Sequence, residues 1–156
     1  EKYGKIGGVD IVYGKIDYML QVQINLLTIL VAAIANMVLG FLWYSPILFG
    51  KKWMAAFGKT ESELKEMKKG VGKSYALTFI GALVMAYVLA HIISYNDATT
   101  VSGGFQAGFW MWLGFVVPTS LGTLLFEKRS STLYWITNGY YLVALIIMGA
   151  ILAVWR

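Results

Sequence analysis

The sequence has no cysteine among its 156 residues, which excludes disulfide staples and thiolate metal sites. It has one histidine and two prolines. Charged residues make up 13% of the chain, about half the share typical of a soluble domain. The long apolar stretches hold no Lys, Arg, Asp or Glu, so no carboxylate pair sits where burial would tune it for acid–base work. There is no Ser-His-Asp set, no metal-ligand cluster and no phosphate-binding glycine pattern around Gly103-Gly104. The basic loop carries too little to mark a nucleic-acid surface. Haem ligation would need a methionine, or the histidine of a second copy, beside the single histidine. No catalytic residue, metal site or cofactor is therefore expected, although seams between apolar helices leave room for a bound lipid.

What the chain does have is apolar surface. Hydrophobic residues make up 58% of it, and the mean hydropathy is +0.65. A soluble domain of this size has too little interior to hide so much of it, and lipid is the natural solvent for the rest. A bilayer crossing needs about 20 mostly apolar residues. Four stretches qualify, running from about Ile24 to Ile47, Tyr75 to Tyr95, Gln106 to Phe126 and Trp135 to Trp155. The expected fold is an all-α membrane protein with four transmembrane helices over residues 23–156 and an extracytoplasmic tail over residues 1–22. The first stretch is too long for a cleavable signal peptide and lacks a basic leader and a small-residue cleavage pattern.

Orientation follows from lysine and arginine. The loop over residues 51–74 holds Lys51, Lys52, Lys59, Lys65, Lys68, Lys69 and Lys73, and the turn after the third stretch holds Lys128 and Arg129. The other side holds Lys2, Lys5, Lys15 and Arg156. Nine basic residues against four put both basic connections in the cytoplasm and both termini outside. Trp43, Tyr44, Tyr75, Tyr134 and Trp135 then fall at the inner interface, and Tyr95, Trp110 and Trp155 near the outer one, the level that amphipathic rings favour.

Within the basic loop, Thr60-Glu61-Ser62-Glu63 fits a capping box, Glu61 and Lys65 form an i,i+4 pair, and Gly70 is a stop. The segment reads as a short amphipathic cytoplasmic helix with its lysines towards anionic lipid; a solvated charged helix is the alternative. In the tail, Tyr3-Gly4-Lys5-Ile6 recurs as Tyr13-Gly14-Lys15-Ile16, and the glycines suit a short extended hairpin better than a helix. Met19 offers a native start, which would make residues 1–18 an added extension.

Small residues recur four apart. The first span has Thr28, Ala32, Asn36 and Gly40, and the second has Thr78, Ala82, Ala86 and Ala90. The third has Gly104 and Gly108, then Gly114, Pro118 and Gly122; the fourth has Gly149 and Ala153. Lipid supplies no hydrophobic drive between helices, so such stripes mark seams of close backbone approach, inside the chain or between subunits. Pro46 and Pro118 are each followed by glycine four residues on, and Gly81 and Gly139 occupy similar places in spans two and four. This pattern suggests a duplicated two-helix hairpin. Pro118 should bend its helix in mid-course, and Pro46 should end or bend its own.

Three intramembrane polar residues are candidates for function. His91 is an ionisable group about one turn from the outer end of span two, suited to a proton relay, a ligand contact or, more simply, an interfacial bond to water or a carbonyl. Asn36 and Asn138 lie deeper, and each suits a hydrogen bond across a helix seam.

The motifs Gly40-Phe41-Leu42-Trp43-Tyr44-Ser45-Pro46, Phe49-Gly50-Lys51 with Trp53, and Ala86-Tyr87-Val88-Leu89-Ala90-His91 carry a family resemblance. So do Gly108-Phe109-Trp110-Met111-Trp112-Leu113-Gly114-Phe115, Phe126-Glu127 and Asn138-Gly139-Tyr140. Together they resemble the small prokaryotic four-helix membrane family catalogued as domain of unknown function 1761, from about Ile24 to Trp155. Thr119-Ser120-Leu121-Gly122 departs from the Asn-containing pattern associated with that place, which argues against a polar role there. The resemblance implies a prokaryotic plasma membrane and no activity. By analogy it points to His91, Trp110, Trp112, Glu127 and Asn138, and its first motif adds Trp43, Tyr44 and Pro46. Three functions stay open: a non-catalytic subunit or homo-oligomer packing in a membrane assembly, a small oligomeric channel or carrier lined by Asn36, His91 and Asn138, and a cofactor- or lipid-binding protein using His91.

Overall fold

The computed structural model describes residues 3–6, 9–12, 24–58, 63, 71–126 and 130–155. Strands β1 (Tyr3–Ile6) and β2 (Val9–Val12) form an antiparallel hairpin with Tyr3 opposite Val12. Six helices follow among the described residues: α1 (Leu26–Trp43), α2 (Gly50–Phe57), α3 (Val71–Tyr95), α4 (Val101–Met111), α5 (Val117–Phe126) and α6 (Ser131–Val154). A π-helical turn, Trp112–Val116, joins α4 to α5 without a break. Among the described residues, four helical stretches are therefore long and apolar enough to cross a membrane, namely α1, α3, Val101–Phe126 and α6; they are spans one to four.

Spans three and four begin earlier than the apolar runs indicate, because polar first turns are held by side-chain caps. Thr100 Oγ1 accepts from Gly103 N at 3.1 Å at the head of span three. Ser130 Oγ accepts from Thr132 N at 3.2 Å before span four. Asn25 Oδ1 accepts from Leu27 N at 3.0 Å and Thr28 N at 3.3 Å before span one. Each cap satisfies orphan amides that a first helical turn leaves unpaired.

Span one stops at Trp43, three residues before Pro46, whose missing N–H cannot extend the ladder. The chain turns through Tyr44 to Phe49, with Phe49 N donating to Trp43 O at 3.0 Å and Gly50 N to Ser45 O at 2.9 Å. A Cβ on Gly50 would run into the Tyr44 and Ser45 carbonyls, so only glycine fits this turn. Helix α2 then occupies sequence read above as the start of the basic loop. It ends at Gly58, whose φ of +65° is the left-handed stop that glycine adopts without strain. The capping-box segment, residues 60–70, lies outside the described residues except for Glu63, which is helical and exposed.

Span four is the centre of the bundle, with 50% of its apolar window buried against 28% and 22% for spans one and two. It runs antiparallel to spans one and three. Thr28 Oγ1 donates to Trp155 O at 2.7 Å at one end, and Trp43 Nε1 donates to Ile136 O at 3.1 Å at the other. The tightest seam joins α4 to α6. A Cβ on Gly104 would strike the Gly149 carbonyl, one on Gly149 would strike the Gly104 carbonyl, and one on Gly108 would strike the Leu145 carbonyl. Ala32, Ala86 and Met148 are fully enclosed with Leu89, Ile93 and Leu152 in the core beside this seam. Past the π turn the third span leaves its neighbour, and α5 buries no residue.

Candidate functional site

The polar groups of the bundle gather around the first three turns of span four. The Tyr140 hydroxyl donates to Asn36 Oδ1 at 2.8 Å, bridging spans four and one at a site where Asn36 is 3% exposed. Trp43 lies one helical turn further along, with its indole N–H on Ile136 O and its ring 3.2 Å from where a Gly139 Cβ would sit. Tyr44 packs its ring on Tyr140 and Trp53. These contacts fasten the turn after span one, and helix α2 with it, to span four.

Asn138, 2% exposed, holds the other side of span four. Its Nδ2 donates to Tyr134 O at 2.9 Å, its Oδ1 accepts from Ser120 Oγ at 3.0 Å, and its backbone carbonyl accepts from Trp112 Nε1 at 2.9 Å. The π turn makes the last two compatible. Residues eight apart on an α-helix sit about 80° apart around the axis. One extra residue in a π turn removes about 100° of that rotation, so Trp112 and Ser120 come within about 20° of one face. Pro118 contributes no amide, and Val117 N bonds instead to Trp112 O. Thr119 Oγ1 bonds to Phe115 O, and to Val116 O at 3.1 Å, while Ser120 Oγ bonds to Val117 O at 3.0 Å. Inside a bilayer no water is present to satisfy carbonyls loosened by such a break, and these hydroxyls take its place. The segment Thr119 to Gly122, whose departure from the family pattern put a polar role there in doubt, has one through Ser120.

The divergence of α5 from span four opens a cleft of about 170 Å³. Its polar lining is Ser120 and Thr123 on one wall and Tyr134, Thr137 and Asn138 on the other.

The other sequence candidates do not join this cluster. His91 is half-buried on span two near the opposite end of the bundle, with Nδ1 2.8 Å from Tyr87 O and its ring between Tyr87 and Tyr95. That contact is with a carbonyl of its own helix. Ala32, Ala82, Ala86 and Gly108 lie buried in seams, and Gly40 meets the Tyr140 ring. Gly114 does not: it is exposed in the π turn, and a Cβ there would meet nothing within 4 Å. From Gly108 to Gly114 is six residues, which turns the second glycine about 120° off the seam even in an unbroken helix. Gly81 also meets nothing, whereas Gly139 meets Trp43, so the paired glycines of spans two and four pack differently. Trp110 and Pro46 are exposed. Glu127 lies outside the described residues. Among those residues no three His, Asp or Glu side chains gather as metal ligands. Sequence reasoning placed Trp43 in an interfacial belt, named Tyr140 only within a family motif, expected of Ser120 only a bond to its own helix, and passed over Thr137. Gly139, a gap for the Trp43 ring, was the one available signal for the indole bond.

One family model, described as "Protein of unknown function (DUF1761)", matches residues 27–153. No curated protein and no solved structure matches the chain.

Proposed function

The chain belongs to the DUF1761 family, whose description carries no activity, and from that premise we propose that it is a non-catalytic component of a membrane assembly, made of its own copies or of a larger complex. The observation that carries this reading is the satisfaction of its polar groups inside one protomer. No buried side-chain polar atom among the described residues lacks a partner. Asn36 and Asn138 spend their side chains on Tyr140, Ser120 and Tyr134, so the residues that a channel or carrier would need are used to hold helices together. Meanwhile α5 buries no residue and presents Leu121, Leu125 and Phe126 outward. Its home is the prokaryotic plasma membrane, with both basic connections in the cytoplasm and both termini outside, as the lysine bias favours. Purification of native protein in a mild detergent should yield an oligomer or a stoichiometric co-purifying membrane protein. A strictly monomeric species with no companion contradicts the proposal.

A further inference from the structure

We propose that span three carries a hinge at its π turn, and that the Ser120–Asn138 hydrogen bond is the latch that holds α5 against span four. In the open form, a minor state, α5 swings away from Asn138. The inference goes beyond the assembly role and does not depend on it. Two observations carry it.

The first is the hinge. The turn Trp112–Val116 is π-helical, and Pro118 just after it contributes no amide to the ladder. Sharp bends in helices occur at such turns and prolines. Before the turn, α4 is locked to span four by the backbone contacts of Gly104 and Gly108, and Trp112 Nε1 is held on Asn138 O at 2.9 Å. After it, α5 buries no residue. The π turn therefore separates a fixed half of the span from a half with little packing to lose on moving.

The second is the chemistry of the latch. Asn138 Nδ2 donates to Tyr134 O, and a carbonyl can only accept, so Oδ1 is the atom that faces Ser120. Ser120 has one hydroxyl proton and two acceptors, Asn138 Oδ1 and Val117 O, each at 3.0 Å. Turning that proton wholly to Val117 O releases α5 and leaves Ser120 satisfied by its own helix. Asn138 Oδ1 then loses its donor, and that loss keeps the open form in the minority. Among the described residues this is the one side-chain hydrogen bond between α5 and span four, so a single proton decides whether α5 is held.

The swing is bounded. Leu125 stands eight residues past Val117, a lever of about 12 Å, so a bend of about 25° at the hinge moves it by about 5 Å. The chain from Phe126 to Ser130 ties the tip of α5 to span four within about 14 Å.

The test is distance measurement by electron paramagnetic resonance between spin-labelled cysteines, on the full chain in lipid nanodiscs. One pair, Leu125→Cys with Trp135→Cys, reports α5 against span four. A second pair, Phe105→Cys with Val154→Cys, reports α4 against the same span; all four positions are exposed. The first pair should show a major distance and a minor one about 5 Å longer, and the second pair a single distance. Ser120→Ala should raise the ratio of minor to major about fivefold, the effect of one net hydrogen bond. Ser120→Thr, which keeps the hydroxyl, should leave it at the wild-type value. A first pair that keeps one distance in both the wild type and Ser120→Ala overturns the proposal, as does a ratio that Ser120→Ala leaves unchanged. A change in the second pair on Ser120→Ala would mean that the whole bundle loosens, and overturns it too.

Discussion

Gly108→Ala is expected to destabilise the protein by about 3 kcal/mol, whereas Gly114→Ala, six residues along the same span, is expected to be neutral or slightly stabilising. The added methyl at Gly108 would overlap the Leu145 carbonyl, and backbone cannot rotate aside as a flexible side chain can. Spans three and four would have to separate along the α4 seam, which also carries the reciprocal Gly104–Gly149 contact. At Gly114 the methyl enters open space, and replacing a helical glycine removes backbone freedom from the unfolded chain. Unfolding of the two variants in mixed detergent and SDS checks the contrast. Equal loss in both would mean that the seam does not run where α4 meets span four.

Asn138→Asp is expected to cost about 3 kcal/mol at neutral pH, the scale of an ionisable group at membrane depth. The position is 2% exposed and its Oδ1 already accepts from Ser120. Asn138→Leu is the control: it removes the polar contacts without adding charge and costs about 1 kcal/mol. Thermal unfolding of the three proteins at neutral pH separates these outcomes. An Asn138→Asp loss no larger than that of Asn138→Leu would place the side chain in water rather than in the seam.

The number and rough position of the spans were legible because lipid demands long apolar runs, and nothing else in a chain of this size requires them. The helix ends were less legible. Thr100 and Ser130 cap spans through polar first turns that a hydropathy reading discards. Asn36 and Asn138 were recognisable as seam residues from depth alone, but their partners were not. Tyr140 and Ser120 reach them only through the relative rotation of helices, and for Ser120 that rotation depends on the π turn. A count by fours found the seam at Gly104 and Gly108, but Gly114, six residues on, starts a separate stripe with Pro118 and Gly122, and neither glycine of that stripe meets a neighbour. Trp43 shows a different limit. An aromatic belt and an indole locked on a carbonyl have the same sequence signature at a helix end, and only the facing glycine, Gly139, distinguishes them.

The absence of native cysteine allows the most direct test of the four-crossing arrangement, labelling of single introduced cysteines by a membrane-impermeant maleimide in intact cells. Thr99→Cys lies exposed in the connection between spans two and three, and Lys52→Cys lies exposed on α2, after span one. The arrangement predicts that Thr99→Cys is labelled from outside and that Lys52→Cys is labelled only after permeabilisation. The reverse pattern would contradict the orientation, and labelling of both positions from outside would contradict the crossings themselves.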